Sequence, residues 1–378
     1  MCPSVNILHI TTFLQGGAGL AIAELACSQA ARGHQVTVVT SRTEEQDYSN
    51  YPQWLDRLAT SDVRVLQTDS TFKRDISLNI AAFQHIRNAV DVAHLSIIHT
   101  HAAIPSMLGL LIRSATKRLV PVLQTMHGWG IRKDSTQAAT DIALMKSVDR
   151  VITPSMASKR LLERLGVDPH LISVVRYGIP PLAQSADEAG IERLRQWKSS
   201  GHVVLLCTGT VGPRKNQRLL IEAIAHGGTP ANVACAIVGE GEEVPLLNSL
   251  IQQNGLQNRV HMFGYQPNAA RFLRAADWFV LPSMDEGLPL SVLEAYRAAV
   301  PVIGSDIAEI AEVIRPEQTG YLFRAGDLGS LVKALGAAAE LAESERLKMG
   351  AFSRRLWQDH YSLEQMRLGY EAVYNELL

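Results

Sequence analysis

The sequence predicts an α/β protein made of two doubly wound, Rossmann-like parallel sheets. Three observations lead there. Short apolar runs alternate with longer amphipathic segments along the whole chain, the pattern of parallel strands covered by helices on both faces. The alternation breaks once, at Tyr177-Gly178-Ile179-Pro180-Pro181 and the polar stretch from Ala183 to Gly190 behind it, which reads as a linker. The length, 378 residues, exceeds what a single hydrophobic core ordinarily supports.

In the first half, strands are expected near 5–10, 35–40, 63–66, 96–100, 120–125, 150–153 and 171–176, with helices in most of the gaps. The first helix is placed at 20–32, opened by Gly16-Gly17-Ala18-Gly19. After the linker the pattern restarts with Val203-Val204-Leu205-Leu206-Cys207 and continues with strands near 233–238, 259–262, 277–281, 301–303 and 321–323. The tail, 345–378, is rich in helix formers. The domains expected are 1–182 and 183–359.

The composition, 47% hydrophobic and 19% charged, is that of an ordinary globular enzyme. Residues 1–182 carry 18 Lys and Arg against 14 Asp and Glu, a balance of +4, and residues 183–378 carry 18 against 23, a balance of −5. A mildly basic half in a near-neutral chain argues against a dedicated nucleic-acid binder and leaves room for an anionic membrane surface. Cys2, Cys27, Cys207 and Cys235 are widely spaced without a Cys-x-x-Cys pair, which points to unpaired thiols in a reducing cytoplasm. There is no signal-peptide pattern at the N-terminus, and no apolar run approaches the roughly 20 residues of a spanning helix, so a soluble or peripheral protein is expected.

Open α/β sheets bind ligands beyond the carboxyl ends of their strands, and two such domains facing each other would enclose a cleft. The chemistry-bearing motifs do follow strands. Gly16 and Gly17 come after the first, where close backbone approach and helix N–H groups suit a bound anion. The turn is not a full Gly-x-Gly-x-x-Gly fingerprint, and the second strand closes Val38-Val39-Thr40-Ser41 without an acidic residue, which disfavours a nicotinamide dehydrogenase. His127 ends the fifth strand beside Gly128 and Gly130, placed either to bond a sugar hydroxyl or to move a proton. His99 and His101 end the fourth, and a zinc site built on them would need a third ligand that the sequence does not identify. A structural role for His101 is as good a reading as a functional one.

In the second half, Thr208-Gly209-Thr210-Val211-Gly212-Pro213-Arg214-Lys215-Asn216 sets two cations beside a helix start, suited to a diphosphate and to the charge that develops as it leaves. Gly239 sits in a second close-approach turn, and Phe263-Gly264-Tyr265 offers backbone groups to a base edge. The densest signal is Asp285-Glu286-Gly287-Leu288-Pro289-Leu290-Ser291-Val292-Leu293-Glu294. It places Glu286 in a loop and Glu294 two helical turns on, with the N–H groups of Leu290 and Ser291 between them. A phosphate held at that helix start, flanked by two hydroxyl-seeking carboxylates, suggests a sugar nucleotide. No Asp-x-Asp triplet occurs, so the usual carboxylate grip on a metal-bound diphosphate is missing, and no metal or other cofactor is expected.

Taken together these residues resemble the family 4 retaining glycosyltransferases of the GT-B fold, over the whole chain and in family order. The resemblance implies that Glu286 contacts donor-sugar hydroxyls and Glu294 the nucleotide ribose. It gives Lys215 with Arg214 to the diphosphate, Gly17, Leu290 and Ser291 to the anion site, and His127 to the outer hydroxyls of the sugar. It further implies an acceptor-binding N-terminal domain and a nucleotide-sugar-binding C-terminal domain. A last helix, about 360–378, would return to the first domain. Sugar transfer with same-face attack, without a protein nucleophile, is the activity implied, in assembly of surface polysaccharide, lipopolysaccharide or glycolipid, with a UDP-sugar slightly favoured. Thr210, Ala299 and Ala308-Glu309 depart from residues common in the family, which touches sugar selectivity more than reaction type. A GT-B sugar-nucleotide epimerase and an inactive partner subunit are the alternative readings. For a lipid-linked acceptor, Lys73-Arg74 ahead of Ile76, Ile80, Phe83 and Ile86, with Arg113, Lys117 and Arg118 ending another helix, suggest peripheral docking on anionic lipid at the inner membrane face.

Overall fold

The computed structural model describes residues 4–45, 48–116, 118–130, 133–182 and 190–378. The chain divides into two compact units, Met1–Pro180 with Ser362–Leu378, and Pro181–Tyr361.

The first unit alternates β1 (Asn6–Ile10), α1 (Gly16–Ala30), β2 (Gln35–Ser41), α2 (Pro52–Ala59), β3 (Arg64–Thr68), α3 (Ile76–Ala89), β4 (Ile97–Thr100), α4 (Ala103–Ser114), β5 (Val122–Thr125), α5 (Ser135–Met145), β6 (Arg150–Thr153), α6 (Met156–Arg164) and β7 (Ile172–Val174). Its seven parallel strands run in the order β3-β2-β1-β4-β5-β6-β7, so the winding reverses between β1 and β4. Every residue of β4 and β5 is buried, as expected for strands covered on both faces. Ile98 and Val122 pack with Ile86, Leu108 and Ile112 on one side of the sheet. Ile22, Ala26 and Cys27 of α1 pack with Val36 and Val38 in a second cluster. Local caps start the helices: Asp75 accepts from the Leu78 N–H, Asp134 from Gln137, and Ser155 from Ser158.

One local expectation changes. The helix placed at 20–32 starts at Gly16, so the glycines form its first turn; Gly16 takes φ +53°, and a Cβ on Gly19 would meet the Leu14 carbonyl carbon at 2.6 Å. Tyr177-Gly178-Ile179, where the strand–helix alternation breaks, belongs to the first unit, inside the expected 1–182 domain. Tyr177 and Ile179 are buried, and a Cβ on Gly178 would stand 2.0 Å from the Ser362 carbonyl oxygen. Of the expected linker, residues 183–189 lie outside the described residues.

The second unit runs α7 (Ile191–Ser199), β8 (Val203–Thr208), α8 (Gln217–Ala225), β9 (Val233–Val238), α9 (Val244–Gln253), β10 (Val260–Met262), β11 (Trp278–Leu281), α10 (Leu290–Arg297), β12 (Val302–Ser305), α11 (Ala308–Ala311), β13 (Gly320–Phe323), α12 (Leu328–Glu340) and α13 (Glu343–His360). The strand order β10-β9-β8-β11-β12-β13 reverses between β8 and β11. The last helix, α14 (Leu363–Asn375), is capped by Ser362 and packs on α1 of the first unit.

Candidate functional site

In the second unit the carboxyl ends of β8 and β11 flank the reversal of strand order, the place where open α/β sheets bind ligands. The two loops are stitched together, since the Met284 N–H donates to the Arg214 carbonyl at 2.8 Å. The Lys215 ammonium donates to Glu286 Oε1 at 2.5 Å, and the Ser283 hydroxyl donates to the same oxygen at 2.7 Å. Arg214 Nη1 lies 3.7 Å from Glu286 Oε2 and donates to the Asp285 carbonyl at 3.0 Å. Glu286 is 7% exposed and Lys215 14%, so this pair is shielded from water while Arg214 stays exposed. Beneath it, the Ser305 hydroxyl donates to the Ser283 carbonyl at 2.6 Å and pins the loop to the end of β12. A lysine ammonium carries three donors, so Lys215 can hold Glu286 and still bind an anion.

Carboxylates crowd the same place. Burial raises the pKa of Asp285 above its usual value, with Arg214 opposing, and raises that of Glu309, which feels Asp285 and Glu286. Burial pushes the Cys207 thiol up to about 12, which makes it inert packing beneath Lys215. Helix α10 starts at Leu290 after Pro289 with no side-chain cap, so the first N–H groups, including those of Leu290 and Ser291, have neither an intrahelical nor a capping partner. Glu294 lies one turn further on, half-buried; burial raises its carboxyl pKa and the nearby Arg297 opposes the shift.

The neighbouring strand ends close backbone to backbone. Gly209 and Gly239 take φ +134° and +151°, and a Cβ on Gly239 would stand 1.9 Å from the Gly209 carbonyl oxygen. The exposed Thr210 offers its carbonyl to Gln217 Nε2 at 2.9 Å. At Phe263 the N–H donates to Ile237 and the carbonyl accepts from Gln266 Nε2, so its backbone has partners within the fold. Its half-buried ring packs on His261 and Phe272.

In the first unit, Gly16 and Gly17 are exposed at the start of α1, beside the reversal between β1 and β4. His127 follows β5 and is half-buried. Its Nδ1 bonds the Tyr177 hydroxyl and its Nε2 bonds His101 Nδ1 at 3.0 Å. Both ring nitrogens thus have partners within the protein, where the sequence reading expects one of them to bond a sugar hydroxyl or move a proton. The third imidazole missing from the sequence reading is His9, opposite His99 in the β1–β4 register. Its only sequence signal is a polar residue inside the apolar strand Asn6-Ile7-Leu8-His9-Ile10. Ligand nitrogens of His9, His99 and His101 fall within 4.8 Å of one another, a spacing open to a metal ion. All six ring nitrogens, however, are committed to one another, to His127, or to Gln29, Tyr374 and Thr125.

The basic clusters expected to meet lipid are mostly paired: Lys73 with Glu45 at 2.8 Å, Arg74 with Asp141 at 2.5 Å, and Arg113 with Asp149 at 2.8 Å. Arg118 donates to the Leu95 carbonyl, and Lys117 lies outside the described residues. Ile86 and Phe83 belong to the core, whereas Ile76 and Ile80 are 78% and 47% exposed. Helix α3 starts at the carboxyl edge of the sheet and α4 ends at its amino edge, so the two clusters sit at opposite edges.

Two family models match the chain: Glycosyltransferase Family 4 over residues 15–181, and Glycosyl transferases group 1 over residues 192–355. Between them they span nearly the whole sequence. N-acetyl-alpha-D-glucosaminyl L-malate synthase of Bacillus anthracis is 23% identical, covering 96% of this chain and 94% of its own. The Escherichia coli UDP-Gal:alpha-D-GlcNAc-diphosphoundecaprenol alpha-1,3-galactosyltransferase is 27% identical over 68% of this chain and 71% of its own. Among solved structures, Anabaena HepE in complex with UDP and glucose superposes with a TM-score of 0.82 at 17% identity, covering 99% of this chain and 100% of that one.

Proposed function

This chain belongs to the group 1 glycosyltransferases, enzymes of GT-B fold that transfer sugar from a nucleotide sugar, and from that premise we propose a retaining, metal-independent transfer to a saccharide or lipid-linked acceptor. The observation that carries this reading is the shielded Lys215–Glu286 pair at the β8/β11 reversal, with Arg214 beside it and the uncapped start of α10 next to it. Lys215, Arg214 and the N–H groups of Leu290 and Ser291 provide positive charge for a diphosphate, so the leaving group has its counter-charge from the protein. Glu286 then meets the sugar and Glu294 the ribose. The Glu286 carboxylate is shared with Lys215 and Ser283, which suits it to orient hydroxyls rather than to attack carbon. The leaving phosphate, on this reading, takes the acceptor's proton on the face it departs from.

A UDP-sugar is the favoured donor, because the E. coli relative is named for UDP-Gal and the Anabaena neighbour was crystallised with UDP. A diphosphoundecaprenol-linked acceptor in the E. coli relative supports surface polysaccharide, lipopolysaccharide or glycolipid assembly as the setting. The N-terminal unit would bind that acceptor. We place the enzyme in the cytoplasm, at the inner membrane face; the three described cysteines are buried, unpaired thiols, and among the described residues no helix is long and apolar enough to cross a membrane.

Two substitutions test the division of labour. Glu286→Ala should lower turnover on the order of 100-fold or more. It should leave nucleotide affinity unchanged or tighter, because Lys215 loses a competitor for the phosphates. Glu294→Ala should weaken nucleotide binding first, by roughly 1–3 kcal/mol for hydrogen bonds lost to a charged group. Calorimetric titration with the nucleotide, beside turnover, separates the two; unaltered turnover in Glu286→Ala would refute the assignment.

A further inference from the structure

One hydrogen-bonded line runs through the interior of the first unit. From Tyr177 it passes to His127 and, at 3.0 Å steps, to His101 and to His9, then to Gln29 Oε1 at 2.8 Å. From Gln29 Nε2 it goes on to the Tyr374 hydroxyl at 3.2 Å, to His99 Nδ1 at 2.7 Å, and from His99 Nε2 to Thr125 Oγ1 at 2.7 Å. His9 and His99 are fully buried, and His101 nearly so. Burial lowers the pKa of His9 and His127 to about 4 and those of His99 and His101 well below the ordinary value, so each ring is neutral and carries one hydrogen.

The direction of the line follows from a single group. The Gln29 carbonyl only accepts, so the hydrogen of His9 sits on Nε2. His9 Nδ1 must then accept, which puts the hydrogen of His101 on Nε2; His101 Nδ1 accepts in turn from His127 Nε2–H, and His127 Nδ1 accepts from the Tyr177 hydroxyl. The Gln29 amide donates to Tyr374, which donates to His99, which donates to Thr125, so the polarity is unbroken. Turning the Gln29 amide over would put its N–H₂ against His9 and drive all three imidazoles to the Nδ1–H form together. The line therefore has two collective states, and the orientation of one amide selects between them.

We infer that this array is a positioning device for His127, in which Gln29 sets the tautomer of His127 from three residues away along the line. Tyr374 extends it into helix α14, so the returning C-terminal helix completes the interior of the N-terminal unit rather than merely covering it. Gln29, His9 and His101 are positioning residues. A role in turnover rests on the assignment of the N-terminal unit to the acceptor; the tautomer assignment does not.

Long-range proton–nitrogen NMR of the full chain labelled with ¹⁵N-histidine tests it directly. His9, His101 and His127 of the native protein should each show a protonated Nε2 and an unprotonated Nδ1. Gln29→Met, which removes the selecting amide at similar volume, should mix the two tautomers at all three rings. Gln29→Glu, whose carboxylate only accepts, should restore the native pattern. Tyr177→Phe should change His127 alone, because His101 and His9 take their polarity from the Gln29 side. An Nδ1–H or mixed pattern in the native protein, native signals in Gln29→Met, or a change at His9 in Tyr177→Phe each overturns the inference. If the acceptor assignment also holds, Gln29→Met lowers turnover on the order of 10- to 100-fold and Gln29→Glu recovers it. Native turnover alongside the expected spectra would reject only that assignment.

Discussion

Glu286 was visible in the sequence as an acidic residue ahead of a helix start, but its partner Lys215 stands 71 positions away, and no local pattern announces the pair. The same contrast holds for Ala299. It stands where the family commonly has Gly, and the structure supplies the cost, because Ala299 takes φ +58° where α10 ends, a conformation that strains any residue with a Cβ. Its carbonyl is also wedged against α13, where a Cβ on Gly350 would stand 2.1 Å away. Ala299→Gly should therefore stabilise the protein by roughly 1 kcal/mol, the relieved strain exceeding the added chain entropy of glycine. A urea midpoint that fails to rise would show that the local backbone absorbs the strain. His9 lies at the other extreme: its type and position read as a polar interruption in a strand, and its meaning depends wholly on His99 and His101.

At the scale of elements, strands β1, β4 and β5 matter because their ends stack four imidazoles that burial keeps uncharged. In the unfolded chain each histidine titrates near its ordinary 6.5, whereas in the fold His9 and His127 wait until about 4. Between those values the unfolded state binds more protons, so stability is fully present above 6.5 and is lost as the pH falls toward 4. The slope is about 1.4 kcal/mol per pH unit for each histidine that titrates this way. Urea unfolding at several pH values should show a midpoint that falls steeply below about pH 6.5, the ordinary histidine value. A flat midpoint between pH 7 and pH 5 would mean the imidazoles are not held neutral. The strand and helix types were legible from periodicity. The start of α1 and the docking of Tyr177–Ile179 against Ser362 were not, because a glycine run serves a turn or a helix start equally well, and nothing local to 177–179 points to a partner in the C-terminal tail.

At the scale of the whole molecule, both units use one device: a parallel sheet whose strand order reverses once, with the candidate site residues beyond the carboxyl ends beside that reversal. The proposed membrane contact narrows here, since ion pairs occupy Lys73, Arg74 and Arg113, and only Ile76 and Ile80 of the expected apolar stretch face solvent. Sedimentation with anionic vesicles should drop when Ile76 and Ile80 are both changed to Ser, and equal binding to neutral vesicles would sink the anionic-lipid reading. The amino-acid sequence alone determined the α/β class, the two-part organisation and the candidate site motifs behind the strands, because alternation, glycine turns and helix starts are local and recur with short periods. Only the tertiary structure decided which groups meet: Lys215 with Glu286, His9 with His99 and His101, and Tyr374 with Gln29. Parallel strands are neighbours only through crossover helices, so contacts at their ends join residues tens to hundreds of positions apart, and no window of sequence contains both partners.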